Sequence, residues 1–140
     1  MGLTFRTNEK DTPVHGCRDW NQYFRFKEDA KPEELPTFIR AYENNELRGQ
    51  VGITPEHWII FLAVDPKYRG HKIGTKLLHK AEKYIRKQGG DLVQLHPQAE
   101  FDDALIPWYE SEGYVITDID PACNEFIMQK SIGGKEHEKV

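Results

Sequence analysis

The residues with the clearest chemical potential in this chain stand around two glycines, Gly70 and Gly74. An apolar run, His57–Val64, precedes them, and apolar residues at helical spacing begin at Ile73. Consecutive backbone N–H groups at the start of a helix, together with the positive end of its dipole, bind phosphate oxygens. Glycine lets the backbone approach such a ligand closely. This strand-to-helix turn is therefore a candidate phosphate-binding site.

Two common phosphate-binding motifs do not match the turn. A nucleoside-triphosphate P-loop has four residues between its glycines, followed by Lys and then Ser or Thr. Here three residues separate Gly70 from Gly74, and Thr75 precedes Lys76. The chain also lacks the G-x-G-x-x-G sequence of dinucleotide-binding folds. Both of these nucleotide-binding classes are excluded.

The segment Lys67–Lys87 concentrates positive charge in an otherwise acidic chain. Of 140 residues, 19 are Lys or Arg and 23 are Asp or Glu, which gives a net charge of −4. The segment holds eight of the bases and one acid, Glu82, so it carries +7 and the remainder carries −11. A local positive field in an acidic protein favours a small polyanionic ligand and argues against a large nucleic-acid interface. The alternative is a solvated helix face without a ligand.

The elements predicted from residue pattern place the turn in a mixed sheet. Asn44 and Asn45 tolerate the positive φ of a tight turn, so the flanking segments predict a hairpin. The run His57–Val64 is typical of a strand covered on both faces, which makes it the predicted central strand. The other predicted elements are a strand at 3–6, a helix between Arg18 and Asp29, hairpin strands Thr37–Glu43 and Leu47–Ile53, a helix from Ile73 closed by Gly89 and Gly90, a strand Asp91–His96, a short helix capped by Asp102 or Asp103 and running to Gly113, and strands Tyr114–Ile119 and Asn124–Lys130.

Length and composition limit the class of protein. With 38% hydrophobic and 30% charged residues, the chain is typical of one compact domain, which we place at 1–130 with a flexible tail at 131–140. No stretch approaches the roughly 20 consecutive apolar residues of a membrane helix, and the N-terminus lacks a signal-peptide pattern. We therefore expect a cytoplasmic protein without a membrane partner. Cys17 and Cys123 lie far apart without metal-ligand spacing, so neither a disulfide nor a metal site is expected.

The glycine turn resembles the pyrophosphate loop of the GNAT superfamily of N-acetyltransferases. The signature of that loop is Gln or Arg, two residues, Gly, one residue, and then Gly or Ala. Arg69 and Gly74 match its ends, and Lys72 occupies the middle glycine position. An ordinary helical backbone at Lys72 would still present its N–H group to a phosphate.

A second motif extends the resemblance towards the C-terminus. Trp108 and Tyr109, followed after a short gap by Gly113 and Tyr114, resemble the later aromatic motif of the same superfamily. The similarity covers roughly residues 37–130. Residues 1–36 are poorly matched, and in this superfamily that region shapes the acceptor pocket.

The resemblance implies an α/β (α+β) fold of the GNAT type, with a mixed, mostly antiparallel central sheet, helices on both faces and a splayed central strand. It also implies acetyl-CoA as co-substrate and no metal. Leu62 and Val64 would pair with the pantetheine arm, and the Val64 N–H would polarise the thioester carbonyl. Asp102 would either contact the cofactor or cap the following helix. The pyrophosphate would bind seven consecutive residues: Arg69, Gly70, His71, Lys72, Ile73, Gly74 and Thr75.

The resemblance implies a general acid and leaves the general base open. Tyr109 is the candidate acid, because a phenol can protonate a departing thiolate; the alternative is an aromatic residue that only packs. Some members carry a glutamate at the position of Trp58, which cannot accept a proton. His96 is therefore the first candidate base, with a structural histidine as the alternative. Glu100 and Asp102 are the other candidates, whereas His57 points to the opposite face if the strand alternates regularly.

Together these features predict an N-acetyltransferase that transfers acetyl directly to the primary amine of a small cationic molecule. The acidic remainder of the chain would draw such an acceptor. Two alternatives stay open: acetylation of a protein lysine or N-terminus, and a module that binds an acyl-CoA or nucleic acid without turnover. Nucleic acid is not the expected partner, and a homodimer is left open.

Overall fold

The computed structural model describes residues 3–9, 36–68, 72–97, 104–122 and 124–133. The helix predicted between Arg18 and Asp29 lies outside these ranges. Within them the chain forms, in order, β1 (Leu3–Glu9), β2 (Thr37–Glu43), β3 (Glu46–Ile53), β4 (Trp58–Val64), a 3-10 turn (Pro66–Tyr68), α1 (Ile73–Lys87), β5 (Leu92–Leu95), α2 (Leu105–Ser111), β6 (Val115–Asp120) and β7 (Glu125–Ser131).

The strands form a mixed, mostly antiparallel sheet in the order β1-β2-β3-β4-β5-β7-β6. The pairs β1–β2, β2–β3, β5–β7 and β6–β7 are antiparallel, and β4 and β5 are parallel. The register between β4 and β5 places Trp58 opposite Gln94 and Ile59 opposite Leu95, at the beginning of β4. This architecture confirms the predicted fold class.

The chain divides into two compact units. The first comprises Met1–Glu56 and Ile60–Ala81, and the second comprises His57–Ile59 and Glu82–Val140. The expectation of one domain over 1–130 stays a prediction.

In the first unit, a tight hairpin joins β2 to β3. Asn44 and Asn45 have φ angles of 55° and 64°, which are the angles that a two-residue type I′ hairpin turn requires. Further along the pair, Ala41 lies opposite Gly49 while Tyr42 lies opposite Leu47. Arg48 is therefore the extra residue of a β-bulge.

The first half of α1 packs against β3 and β4 in the same unit. Its apolar stripe is buried as predicted: Ile73, Leu77, Leu78 and Ala81 are each exposed by 1% or less. A Cβ atom at Gly49 would lie 3.0 Å from Leu77 Cδ1 and 3.1 Å from the Ala63 carbonyl oxygen. A side chain here would press on both helix and strand, and glycine lets the two approach closely without displacing them.

In the second unit, Ile132, which follows β7, is held by hydrogen bonds. The Ile132 N–H donates to the Asp91 carbonyl at 3.0 Å, and the Arg86 guanidinium donates to the Ile132 carbonyl at 3.0 Å. Ile132 is only 5% exposed. The expected flexible tail therefore does not begin at Ser131, which ends β7, and residues 134–140 lie outside the described ranges.

Strand β6 stands at one end of the strand order and exposes apolar side chains. Val115, Ile116 and Ile119 are all exposed. Asp118 and Asp120 stand on either side of Ile119 in the sequence. In the part of the chain that the structure describes, neither helix has the length and apolar character needed to cross a membrane.

Candidate functional site

The predicted phosphate-binding turn begins where β4 ends and finishes at the start of α1. Val64 closes β4, and a 3-10 turn at Pro66–Tyr68 follows it directly. The helix starts with the Lys76 N–H donating to the Lys72 carbonyl at 3.0 Å. Lys72 is therefore the N-cap residue. Three of the predicted phosphate-binding residues, Arg69, Gly70 and His71, lie outside the described ranges.

Lys72 does not have an ordinary helical backbone, a point that the sequence left open. Its φ is 63°, in the left-handed region that glycine occupies without penalty and lysine occupies at a cost of about 1–2 kcal/mol. The chain thus keeps the backbone shape of a glycine at the middle position of the motif, although the residue there is lysine.

Gly74 has room around it inside the protein. A Cβ atom at this position would lie 3.6 Å from Val64 Cγ2, which is an ordinary van der Waals contact. Alanine would therefore fit among the described residues, and it would favour the helix by about 1 kcal/mol. Packing among the described residues does not explain the glycine, and a ligand that approached the first turn of α1 closely would explain it.

The electrostatics of the first turn of α1 favour an anion. The turn contains no acidic residue, and the first N–H groups of any helix have no acceptor within it. Exposed lysines follow along the helix at Lys72, Lys76 and Lys80. Ile73 is buried, Thr75 is half-buried, and Leu62 and Val64 on β4 are half-buried.

A group of side chains that the sequence did not reveal holds the start of the turn to the hairpin. The Asp65 N–H donates to the Arg48 carbonyl at 2.7 Å, and the Arg48 guanidinium donates to Asp65 Oδ2 at 3.3 Å. The guanidinium also pairs with Glu46 at 2.7 Å and lies 4.4 Å from the centre of the Tyr68 ring. The bulge at Arg48 thus anchors both ends of the segment Asp65–Tyr68.

Tyr68 is fixed from its other end by Glu43. Its hydroxyl donates to Glu43 Oε1 at 2.7 Å, and this hydrogen bond is the main reason why the pKa of Tyr68 is raised. The Lys67 N–H donates to Asp65 Oδ1 at 3.0 Å, which closes the turn locally. The residues before the glycines are therefore held by side chains as well as by the backbone.

In the second unit, Tyr109 lies buried on α2. It is 6% exposed, and its ring centre is 4.9 Å from that of Trp108 and 5.8 Å from that of Tyr114. Burial raises the pKa of Tyr109 to about 12, so its hydroxyl keeps the proton that a general acid needs.

Tyr114 donates to Glu82 at 2.8 Å, and Glu82 also pairs with Lys130. Helix α2 begins after Ala104 at its N-cap position, and Asp102 and Asp103 lie outside the described ranges.

His96 lies just after β5 and contacts two residues distant in sequence. Its Nε2 is 3.0 Å from Asp120 Oδ2, and its ring stacks on Trp58 with centres 4.9 Å apart and an interplanar angle of 26°. The side chains of His96 and Asp120 are 29% and 26% exposed. Trp58 thus supports the ring of the candidate base, His96.

His57, which the strand pattern sets on the opposite face, and the alternative base Glu100 are placed differently. His57 precedes β4 with a φ of 71°, and a Cβ atom at Gly90 would lie 2.6 Å from its Nδ1. Its ring is therefore packed against the end of α1, where Gly90 leaves space for it. Glu100 lies outside the described ranges.

The structure thus brings Val64 and Gly74 together in the first unit, and His96, Trp58 and Asp120 together in the second. Sequence reasoning missed Arg48 and Asp120. No local motif marks either residue, because each acts on a partner that strand register alone brings close.

Comparison with known proteins identifies the family. The family model described as the acetyltransferase (GNAT) family matches residues 4–114. No curated protein matches the chain.

Solved structures with the same fold cover most of the chain. The PaiA N-acetyltransferase of Thermoplasma acidophilum, in complex with coenzyme A, is 26% identical with a TM-score of 0.60, over 80% of this chain and 68% of its own. An aminoglycoside 6'-N-acetyltransferase complexed with coenzyme A is 23% identical with a TM-score of 0.62, over 80% of both chains. The ribosomal-protein-S18-alanine N-acetyltransferase of Escherichia coli is 17% identical with a TM-score of 0.65, over 94% of this chain and 95% of its own. The family match covers most of the chain and confirms the resemblance read from the two motifs: this protein belongs to the acetyltransferase (GNAT) family.

Proposed function

We propose that this protein transfers the acetyl group of acetyl-CoA to the primary amine of a small cationic molecule. The observation that carries the cofactor assignment is Gly74, which stands in the first turn of α1, where packing among the described residues gives no reason for a glycine. Coenzyme A carries a pyrophosphate that requires close approach to backbone N–H groups. The basic residues of Lys67–Lys87 would add to its binding.

Two observations support a small cationic amine as the acceptor: the negative charge of the chain outside Lys67–Lys87 and the acceptors named for similar structures. Outside Lys67–Lys87 the chain carries −11, and such a field raises the local concentration of cations. Structures similar to this one include an aminoglycoside 6'-N-acetyltransferase and a nourseothricin acetyltransferase. A protein N-terminus is the second acceptor class that the experiment below distinguishes.

On the cofactor side, the proposal assigns the phosphate-binding role to Arg69–Thr75. Leu62 and Val64 would flank the pantetheine arm, and the Val64 N–H would donate to the oxygen of the thioester carbonyl as negative charge develops there. One such donor is worth about 3 kcal/mol in other enzymes. Asp102 would also contact the cofactor.

Tyr109 would act as the general acid that protonates the departing thiolate. With a pKa of about 12, Tyr109 is a weaker acid than an exposed phenol. Transfer to a solvated thiolate with a pKa of about 8.5 would be unfavourable by about 5 kcal/mol. Burial raises the pKa of a thiol as well, so transfer to a thiolate formed in equally dry surroundings is closer to balanced.

His96 would act as the general base that takes a proton from the acceptor amine. A primary amine is protonated near neutral pH and has no lone pair for attack, so a base must act first. The side chain of His96 is 29% exposed and its ring is held by stacking on Trp58, which suits a group that exchanges protons with a substrate.

The proposal is tested by measuring free thiol release from acetyl-CoA with a panel of polyamines, aminoglycosides, amino acids and peptides. Turnover with a small polycation supports the proposal. Turnover with peptides alone would replace the acceptor class, and binding without any turnover would indicate an acyl-CoA-binding module. Isothermal calorimetry with coenzyme A is the separate check of the cofactor, and no detectable binding would refute the assignment of the turn.

A further inference from the structure

Glu82 is the single acid in the basic segment Lys67–Lys87, and its side chain is only 8% exposed. The Tyr114 hydroxyl donates to Glu82 Oε2 at 2.8 Å. Lys130 Nζ donates to Oε1 at 3.1 Å and to Oε2 at 3.2 Å. Burying a charge is costly even when it is paired, and a buried ion pair often stabilises a fold no better than apolar side chains would. Stability alone is therefore a weak explanation for this carboxylate.

Tyr114 connects Glu82 to the helix that carries Tyr109. The Tyr114 N–H donates to the Tyr109 carbonyl at 3.0 Å, and the Gly113 N–H donates to the Glu110 carbonyl at 3.0 Å. With Gly113 at a φ of 100°, these hydrogen bonds form a Schellman motif that ends α2. The rings of Tyr114 and Tyr109 meet edge-on, with centres 5.8 Å apart. Tyr114 therefore contacts Tyr109 through both its main chain and its side chain.

Lys130 covers the same turn from β7. A Cβ atom at Gly113 would lie 3.2 Å from Lys130 Cε, so the stem of the lysine passes close to the glycine. Lys130 Nζ lies 5.6 Å from the centre of the Tyr114 ring. Since Glu82 stands on α1 and Lys130 on β7, the place of Tyr114 is fixed by elements other than the one that it ends.

The hydroxyl of Tyr114 is suited to holding a position rather than to giving up a proton. Burial, and after it the negative charge of Glu82, raises the pKa of Tyr114. The phenol therefore remains a hydrogen-bond donor to Glu82 well above neutral pH.

We propose that Glu82 is a positioning residue for Tyr109. By holding the Tyr114 hydroxyl, Glu82 fixes the ring against which Tyr109 packs, and thereby the place from which the Tyr109 phenol protonates the departing thiolate. This inference rests on the proposed function.

Glu82 takes no part in the proton transfer itself. The O–H bond of Tyr109 breaks as the S–H bond of coenzyme A forms, and the tyrosinate then takes a proton from water. Glu82, Tyr114 and Lys130 keep their protonation states throughout. Their contribution is geometric, and misplacing a catalytic group by about 1 Å can cost about 100-fold in rate.

Two substitutions of Glu82 separate the position of the acceptor from its charge. Glu82→Asp keeps the charge that faces Lys130, but its shorter side chain withdraws the acceptor from the Tyr114 hydroxyl. Glu82→Gln loses the charge and keeps an oxygen acceptor of the same reach. The probe reaction is thiol release from saturating acetyl-CoA with spermidine, or with whichever amine of the panel reacts fastest, expressed per folded molecule.

The position of the acceptor should decide the outcome. Glu82→Asp should lower kcat about tenfold, and Glu82→Gln should lower it by at most about threefold. Both variants should bind coenzyme A with a Kd within about twofold of the native value, because the phosphate-binding turn is unchanged. The reverse order of kcat would mean that the charge of the ion pair matters rather than the direction of the Tyr114 hydroxyl, and would overturn the inference.

A double-mutant cycle with Tyr109→Phe identifies the residue through which Glu82 acts. Once Tyr109 has lost its hydroxyl, the place of its ring no longer affects proton transfer. Adding Glu82→Asp should then lower kcat by less than about twofold. A general disturbance of the fold would lower kcat by the same factor in both backgrounds, and that result would contradict the proposal.

Tyr114→Phe tests the same link from its other end. It keeps the ring that packs on Tyr109 and removes only the hydroxyl, so its kcat should fall about as far as that of Glu82→Asp. A native kcat in Tyr114→Phe would count against the role of Glu82. In the native protein with labelled tyrosine rings, assigned through the backbone, nuclear Overhauser signals should connect the rings of Tyr109 and Tyr114. Their absence would overturn the inference even if a variant failed to fold.

The two proposals fail in distinguishable ways. Absence of coenzyme A binding by calorimetry refutes the proposed function, and the role of Glu82 falls with it. A native kcat in Tyr109→Phe removes the general acid and with it the need to position one. Normal cofactor binding and a slow Tyr109→Phe variant, combined with the reverse order of the two Glu82 variants or with additive effects in the cycle, refute only the role of Glu82.

Discussion

The turn between β4 and α1 and the group around His96 are built from different parts of the chain. The turn uses main-chain groups, a glycine and the start of a helix, all close together in sequence. The His96 group uses three side chains, from Trp58, His96 and Asp120, that separate strands bring together. A main-chain site can keep its shape when side chains change, as Lys72 shows by holding a φ of 63°. A site made of side chains depends on each of them.

The comparison is tested most severely at Gly74. Gly74→Asp places a carboxylate beside the phosphates of coenzyme A, where like charges cost several kcal/mol, so we expect the Kd measured by calorimetry to rise more than 1,000-fold. Gly74→Ala is the matched control, because among the described residues its Cβ meets only Val64, at 3.6 Å, and it adds bulk without charge; its Kd should rise, but far less than that of the aspartate variant. Equal binding by the aspartate variant would mean that the phosphates lie elsewhere.

A second test removes the hydroxyl of Tyr109 without changing the shape of its ring. Tyr109→Phe should lower kcat about 100-fold while leaving the Kd for coenzyme A unchanged, because general-acid catalysis contributes at least that factor. Steady-state rates of thiol release at saturating acetyl-CoA provide the measurement. An unchanged kcat would leave Tyr109 as a packed aromatic residue.

The same variant sharpens the comparison through stability at high pH. The pKa of Tyr109 is about 12 in the folded protein and 10 when unperturbed, so between these values the unfolded chain loses a proton that the folded chain keeps. Stability therefore falls as pH rises from 10 to 12, by about 3 kcal/mol from this group. Denaturant unfolding at several pH values should show this loss in the native protein and a smaller one in Tyr109→Phe; parallel curves would contradict the assignment.

Arg48 tests whether the main-chain turn depends on side-chain support. Arg48→Ala removes the contacts to Asp65, Glu46 and Tyr68, and we expect the Kd for coenzyme A to rise about tenfold with kcat nearly unchanged. Arg48→Lys keeps the charge but loses the planar stacking on Tyr68. Its Kd for coenzyme A should therefore lie between the native value and that of Arg48→Ala. Native affinity in Arg48→Ala would show that the glycines and helix suffice to hold the turn.

The smallest expected effect comes from relieving backbone strain at Lys72. Lys72→Gly should stabilise the protein by about 1 kcal/mol, because glycine adopts positive φ without a steric penalty. For a chain of this size that corresponds to a rise in Tm of about 3 °C. Lys72→Ala removes the same charge but keeps the strain, so thermal unfolding should separate the two variants; an equal Tm would rule out strain at this residue.

Much of the fold was predictable because the signals are local. The bounds of β2 agree with the expectation, since Asn44 and Asn45 fix the turn that ends it. Helix α1 starts at Ile73 as its apolar period indicated. Strands β1, β5 and β6 differ by a few residues at their ends, where hydrogen bonding to a neighbour, rather than residue type, decides the boundary.

Less of the candidate site was predictable. The family motif located Gly74 and Tyr109, but it could not give the positive φ of Lys72, since that depends on how the whole turn closes. The bulge at Arg48 arises from the register of β2 and β3. Asp120 meets His96 across strands far apart in sequence, so no spacing in the chain indicates the pair.

Among the described strands, β6 forms one edge of the sheet, and this position has a consequence for handling the protein. Val115, Ile116 and Ile119 would make this edge prone to pair with another strand. Asp118 and Asp120 oppose such pairing, because two copies brought edge to edge would set carboxylates against each other. Neutral substitutions of Asp120 therefore remove part of the protection against aggregation, and light scattering of concentrated stocks should reveal this before any change in secondary structure does.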